Sequence, residues 1–208
     1  MFLGSVALLS VLIAALLRKP LGSLVERRFH RVEILVLAVV VHLVFVPPAL
    51  SPLLDGAPIP GLPPLGGLLY ILSLSLLVVF AWFNQGIPGV LLILTGLLMN
   101  TLVIASNGGQ MPVNPAQLAA KNGLQPLLEA EKAGRWSTFT VAKADTRLPF
   151  LGDCLSFPRP FMDPVILSIG DVEIAVGIFI CFLVIPEAAR QRSSFSPPEL
   201  IALSQEVR

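Results

Sequence analysis

The chain has 208 residues, 55% of them hydrophobic and 13% charged, with a mean hydropathy of +0.84 and a formal net charge of +1. Apolar residues gathered into long runs at this level exclude an ordinary soluble domain and identify an integral membrane protein. The near-zero charge balance offers no basic patch and sets nucleic acid aside, and two cysteines, Cys154 and Cys181, supply neither a disulfide framework nor a metal motif.

Residues 2–17 form an uncharged run closed by Arg18 and Lys19. It is slightly short of the ~20 residues of a typical span but fits a tilted helix. No basic region precedes it and no small-residue cleavage site follows it, so it is expected to be a first transmembrane helix and not a cleaved signal peptide. The following stretch carries Arg18, Lys19, Arg27, Arg28 and Arg31 against one acid, Glu26. By the positive-inside rule this loop is cytoplasmic and the N-terminus is outside.

A second span covers 34–50 and ends at Pro47 and Pro48. The proline- and glycine-rich 51–65, without Lys or Arg, suits an irregular outer loop. The third span, 66–83, carries Tyr70 and Trp82 towards its two ends, as an aromatic belt would place them. A short uncharged turn at 84–88 returns the chain as an antiparallel neighbour, and the fourth span covers 89–106.

The stretch up to Pro164 is long enough for a subdomain. Asn114 before Pro115 reads as a helix N-cap and first-turn pair, with the helix running through Lys121; a second helix opens near Pro126 and runs to about Ala133. Residues 139–142 are expected to form a short strand. Leu118, Leu124, Leu127, Leu128, Trp136 and Phe139 suggest a surface lying against the bilayer or capping the bundle. The fifth span, 165–185, delivers Arg190 and Arg192 to the cytoplasm, ahead of a polar tail from 193. Cys181 lies about ten residues into that span, roughly 15 Å deeper than Cys154, which argues against a bridge.

Two carboxylates, Asp153 and Asp171, fall at the outer membrane boundary of this topology, eighteen positions apart. If they approach each other they share a proton, because both cannot ionise at short range; one then activates water while the other donates. The competing reading makes Asp153 a solvated loop residue and has Asp171 cap the helix or bond Ser168, three residues earlier on the same face. His42 lacks a second in-membrane histidine for bis-histidine haem ligation and reads as a hydrogen-bonded bundle residue. Glu173 lies about 200° round the helix from Asp171, so the two do not share a face, and Gly170 and Gly177 mark close helix packing.

The run SIGDVEIAVG (168–177), preceded by LGD (151–153), resembles the C-terminal half of lipoprotein signal peptidase, signal peptidase II. The resemblance implies Asp153 and Asp171 as a catalytic aspartate pair. Gly96 to Asn100 is similar to that family's glycine-rich helix ending in Gly-Asn, which implies a supporting role for Asn100. The family's Asn-x-Gly-Ala-Ala-Phe segment has no counterpart in 51–65, and the aspartate-arginine pair after its Gly-Asn is missing. Along the whole chain, NGGQMPV (107–113), TRLPFLGD (146–153) and SIGD (168–171) resemble a family of five-helix bacterial membrane proteins without known function.

The expected fold is therefore an all-α membrane protein. Transmembrane helices 1 to 4 lie in 1–106, an extracytoplasmic subdomain in 107–164, helix 5 in 165–186 and a cytoplasmic tail in 187–208. It is expected in the bacterial cytoplasmic membrane, N-terminus outside and C-terminus inside. The expected site comprises Asp153 and Asp171 as catalytic residues, supported by Asn100, Asn107 and Ser168, with no metal and no cofactor. Its expected partners are the lipid bilayer and either a membrane-anchored peptide substrate or a partner subunit. Hydrolysis of a membrane-proximal peptide bond is one expected function, and a non-catalytic accessory subunit is the alternative.

Overall fold

A computed structural model describes residues 29–45, 63–121, 123–159 and 162–194. The expected first span, its basic loop, the prolines at 47 and 48, the 51–62 connection and the tail after 194 lie outside the described residues.

Four long helices carry the chain: α1 (Val32–Phe45), α2 (Leu65–Phe83), α3 (Val90–Ser106) and α6 (Ile169–Ser194). Between α3 and α6 come β1 (Met111–Val113), α4 (Pro115–Ala120), α5 (Leu124–Lys132), β2 (Phe139–Val141), a 3-10 turn (Pro149–Leu151), β3 (Leu155–Arg159) and β4 (Met162–Leu167). Among the described residues only α2 is both long and apolar enough to cross a membrane by length and composition; residues 32–43 and 90–106 are shorter apolar helices. The fold is thus mostly helical with short strands, and among the described residues one candidate span is shown, the expected first span lying outside them.

Contacts fix the long helices as antiparallel neighbours. Asn84, buried at the end of α2, accepts from the His30 backbone N–H at 2.8 Å and donates to the His30 carbonyl at 3.0 Å, tying the start of α1 to the end of α2. Further along that pair, the His42 ring lies 3.4 Å from the Ser73 hydroxyl, the bundle role its position suggests. Helices α3 and α6 meet at glycines. A Cβ on Gly170 would lie 2.6 Å from the Gly96 carbonyl, and one on Gly177 would lie 2.6 Å from the Gly89 carbonyl. Small residues at such crossings let backbones approach and pack by dispersion. Ala81, Leu94, Leu97 and Ile174 fill the space between, whereas Val36, Leu37, Val40, Leu91, Leu98 and Leu102 are exposed.

The intervening segment folds onto the end of the bundle where α2 and α6 begin and α3 ends. Gly108 and Gly109, both at positive φ, turn the chain out of α3, and a Cβ on Gly67 would lie 2.9 Å from the Gly108 carbonyl. The Trp136 ring lies over Gly66 and meets Tyr70 edge-on at 6.5 Å. Its capping of the bundle agrees with the sequence reading. By contrast, Leu118, Leu124, Leu127 and Leu128 gather with Val113, Val141 and Ile166 into the subdomain's own small core.

The two helices of this segment appear where the Asn-Pro and Gln-Pro signals put them, with Asn114 accepting from the Ala116 N–H at 2.9 Å. The strands are more extensive than expected. β1 pairs in parallel with β2, and β3 pairs antiparallel with β4. Strand β4 takes residues 162–167, so the last helix begins at Ile169 and not at 165.

Candidate functional site

Asp153 is placed by backbone pairing. Its N–H donates to the Pro112 carbonyl at 2.9 Å and its carbonyl accepts from the Asn114 N–H at 3.0 Å, so it lies beside β1 as an extra parallel position. A Cβ on Gly152 would lie 2.5 Å from the Pro112 carbonyl, which is why a glycine precedes the aspartate. Leu148, at φ +51°, holds the preceding turn by packing on the cluster of Leu74, Val103, Ile104 and Met111.

The Asp153 side chain is not the solvated loop carboxylate of the simpler reading. Only 7% of the residue is exposed, and its Oδ1 has no hydrogen-bond partner among the described residues. It lines an open cavity of about 400 Å³ bordered by β1, α4, α5, β2 and Ile166, whose walls include Val113, Leu118, Leu127 and Lys121. Burial first, and the negative charge of Asp171 second, push its carboxyl up to about 7, with Lys121 pulling the other way. A carboxylic acid that exchanges its proton near neutrality has the range that general acid-base work requires.

Asp171 is held in a different manner. Ser168 and Asp171 form a reciprocal helix cap: the Asp171 N–H donates to Ser168 Oγ at 2.9 Å, and the Ser168 N–H donates to Asp171 Oδ2 at 3.1 Å. Asn100 joins this cap to α3. Its Nδ2 donates to Asp171 Oδ1 at 3.0 Å while its Oδ1 accepts from Ser168 Oγ at 2.9 Å. Gly170 is the residue that lets Asn100 in, since a Cβ there would overlap Asn100 Oδ1. The SIGD run is therefore a cap, a close approach and a reciprocal acceptor in four residues.

Of the five expected site residues, Asn100, Ser168 and Asp171 form one hydrogen-bonded unit. Asp153 lies within reach of the Asp171 charge, and no hydrogen bond joins the two carboxylates among the described residues. Asn107 stands apart: its side chain accepts from the Arg147 N–H at 2.9 Å and donates to the Arg147 and Val103 carbonyls, both at 2.8 Å. It anchors the turn that leads to Asp153. Glu173 accepts from Thr95 Oγ1 at 2.7 Å, one more tie between α6 and α3.

Lys121 and Glu131 escaped the sequence reading. The Glu131 carboxylate accepts from Thr140 Oγ1 at 2.7 Å, the Val141 N–H at 3.0 Å and Lys143 Nζ at 3.1 Å, pinning α5 to β2. Burial alone would raise its pKa, but these donors together bring it below the usual value. The described residues contain no cluster of three or more His, Cys, Asp or Glu that would hold a metal. Cys154 and Cys181 are both free thiols.

The sequence model of a family of unknown function, DUF5317, matches residues 26–183. An uncharacterised protein of Thermotoga maritima is 30% identical over 122 residues, spanning 59% of this chain and 67% of that protein. No solved structure matches. These findings support the likeness to a family without known function and do not support the likeness to signal peptidase II.

Proposed function

We propose, for a chain that belongs to the DUF5317 family of unknown function, an acid-base site at the outer surface of a membrane that hydrolyses a membrane-proximal peptide bond. One observation carries the reading. Asp153 is a buried carboxyl with an oxygen unpartnered among the described residues, in a residue that lines an apolar cavity and feels the charge of a second carboxylate, Asp171. Pairs of acids whose surroundings pull their protonation apart are how one site supplies both an acid and a base.

In this reading Asp171 is the base. Asn100 and the Ser168 N–H occupy two of its roughly four acceptor sites, leaving room for a water. That water loses a proton to Asp171 as it attacks the carbonyl carbon, and Asp153 protonates the carbonyl oxygen. Collapse of the tetrahedral intermediate breaks the C–N bond: the leaving amine takes the proton held by Asp171, and a hydroxyl of the intermediate returns its proton to Asp153 as the carboxylic acid product forms. The exposed apolar faces of α1 and α3, the length of α2 and the basic loop at 18–31 support a membrane setting with the subdomain outside.

The test is reconstitution in phosphatidylethanolamine and phosphatidylglycerol vesicles with membrane-anchored peptides, reading new N-termini by mass spectrometry. Cleavage by the wild-type chain that disappears in both Asp153→Asn and Asp171→Asn is expected. Absence of cleavage by the wild type, or full turnover in Asp153→Asn, overturns the hydrolase reading. A second reading, a non-catalytic accessory subunit, is favoured by the engagement of both Asp171 oxygens in helix-cap hydrogen bonds. It predicts that Asp171→Asn lowers stability only and that the chain isolates as a stable hetero-complex.

A further inference from the structure

The ribbon of β3 and β4 carries apolar residues on both of its faces. In its register Leu155 lies opposite Leu167, Ser156 opposite Ile166 and Phe157 opposite Val165. Ile166 packs into the subdomain's small core and borders the cavity, so one face of the ribbon is occupied. Alternation along a strand puts Leu155, Phe157, Val165 and Leu167 on the other face. Of these Leu167 is buried at the base of the ribbon, whereas Phe157 is 64% exposed and Leu155 39%. From Pro149 to Pro158 the one charged residue is Asp153, and it is buried. The exposed charges Lys121, Glu129, Lys132, Arg135 and Lys143 lie at the end of α4, on α5 and in the turns on either side of β2. Charge and exposed apolar surface are thus segregated within the subdomain.

We propose that this outer face of the ribbon rests in the headgroup–acyl boundary of the leaflet on the subdomain's side, with Leu155 and Phe157 among the lipid chains. Two observations choose lipid as the occupant. β4 runs through Ser168 directly into α6, where Ile169, Val172 and Val176 are exposed at a spacing that shares one helix face, so the apolar surface of the ribbon continues that of the bundle. Among the described residues β3 has β4 as its one partner strand, which leaves a row of its N–H and C=O groups in need of water. An open sheet edge does not occur in the hydrocarbon core, and the boundary, where water still reaches, is the level that suits both the edge and the apolar side chains. Asp153 stands two residues before β3, so this docking sets that carboxyl at the membrane surface. The inference rests on the membrane setting of the proposed function and not on peptide hydrolysis.

The test is spin-label accessibility in the full chain, reconstituted in phosphatidylethanolamine and phosphatidylglycerol vesicles on a Cys154→Ser, Cys181→Ser background. Leu155→Cys, Ser156→Cys and Phe157→Cys carry the label along β3, with Glu129→Cys as the aqueous reference and Leu98→Cys as the reference within the bundle. All of these side chains are exposed, so a label there displaces no core residue. The ratio of collisions with oxygen to collisions with nickel ethylenediaminediacetate should be about threefold or more higher at 155 and 157 than at 129, and should drop at 156, on the opposite face. A ratio at 157 equal to that at 129, or no alternation through 156, overturns the proposal. So does shielding of 155 and 157 from both reagents, because protein, a second copy or another chain, would then cover the face. A lipid-exposed label at 98 with an aqueous one at 157 removes this proposal alone, whereas an aqueous label at 98 removes the membrane setting and this proposal with it. Cleavage plays no part in the readout, so failure of the hydrolase reading leaves the result intact.

Discussion

Replacing Asp153 by Asn should change the pH dependence of stability by an amount the structure sets. The folded carboxyl titrates at about 7 and the unfolded one at 3.8, so the folded state holds the proton more tightly. Its contribution is fully present below pH 3.8 and is lost as pH rises through 7. At 1.36 kcal/mol per pH unit the interval corresponds to about 4 kcal/mol. Asparagine carries no titratable proton, and its amide in the same cavity adds a pH-independent offset of about 1–3 kcal/mol. The level of the variant's curve is therefore uninformative, but its slope is not. Denaturant unfolding in micelles, followed by tryptophan fluorescence from pH 4 to 8, should show the wild type losing about 4 kcal/mol relative to Asp153→Asn. A difference curve flat to within about 0.5 kcal/mol would refute the assignment of a raised pKa to this residue, whatever the variant's absolute stability.

Three further outcomes follow from named contacts. Asn100→Ala leaves Asp171 Oδ1 without its donor and Ser168 Oγ without its acceptor, and should cost about 1–3 kcal/mol by denaturant unfolding. Gly170→Ala drives a methyl group into Asn100 and the Gly96 carbonyl, parting α3 from α6 at a cost of about 1–3 kcal/mol, detectable as faster amide exchange along α3. Glu131→Gln should loosen α5 from β2, read as faster exchange of the Val141 amide. Because the Glu131 pKa is lowered on folding, its contribution holds above the unfolded carboxyl range and is lost in acid, so wild type and variant should converge as pH falls through the folded value.

The helices were legible because each announces itself locally. Uncharged, mainly apolar runs mark α2 and α3, and Asn-Pro and Gln-Pro mark the starts of α4 and α5. Strands β1, β3 and β4 were not, since they are three to six residues long and contain Pro112, Pro158 and Pro164, which break the alternation that identifies a strand. The apolar run 164–167 merges into the last helix on composition alone. Its true boundary lies in the Ser168 to Asp171 cap, a signal that spans only four residues. For the site, the Ser168 to Asp171 cap is the competing reading that their three-residue spacing offered, and Asn100 enters it from α3. Lys121 reaches the cavity, and Glu131 reaches Thr140, only through the packing of α4 and α5 on two short strands. No local pattern in the sequence encodes that arrangement.

The most direct measurement is an infrared titration of the protonated carboxyl stretch in the wild type, Asp153→Asn and Asp171→Asn. A band that disappears near pH 7, is missing in Asp153→Asn and titrates lower in Asp171→Asn is the predicted result, because removing the neighbouring anion removes one of the two forces holding the proton. A band that persists unchanged in Asp153→Asn, or a wild type whose carboxyls all titrate near pH 4, would contradict it.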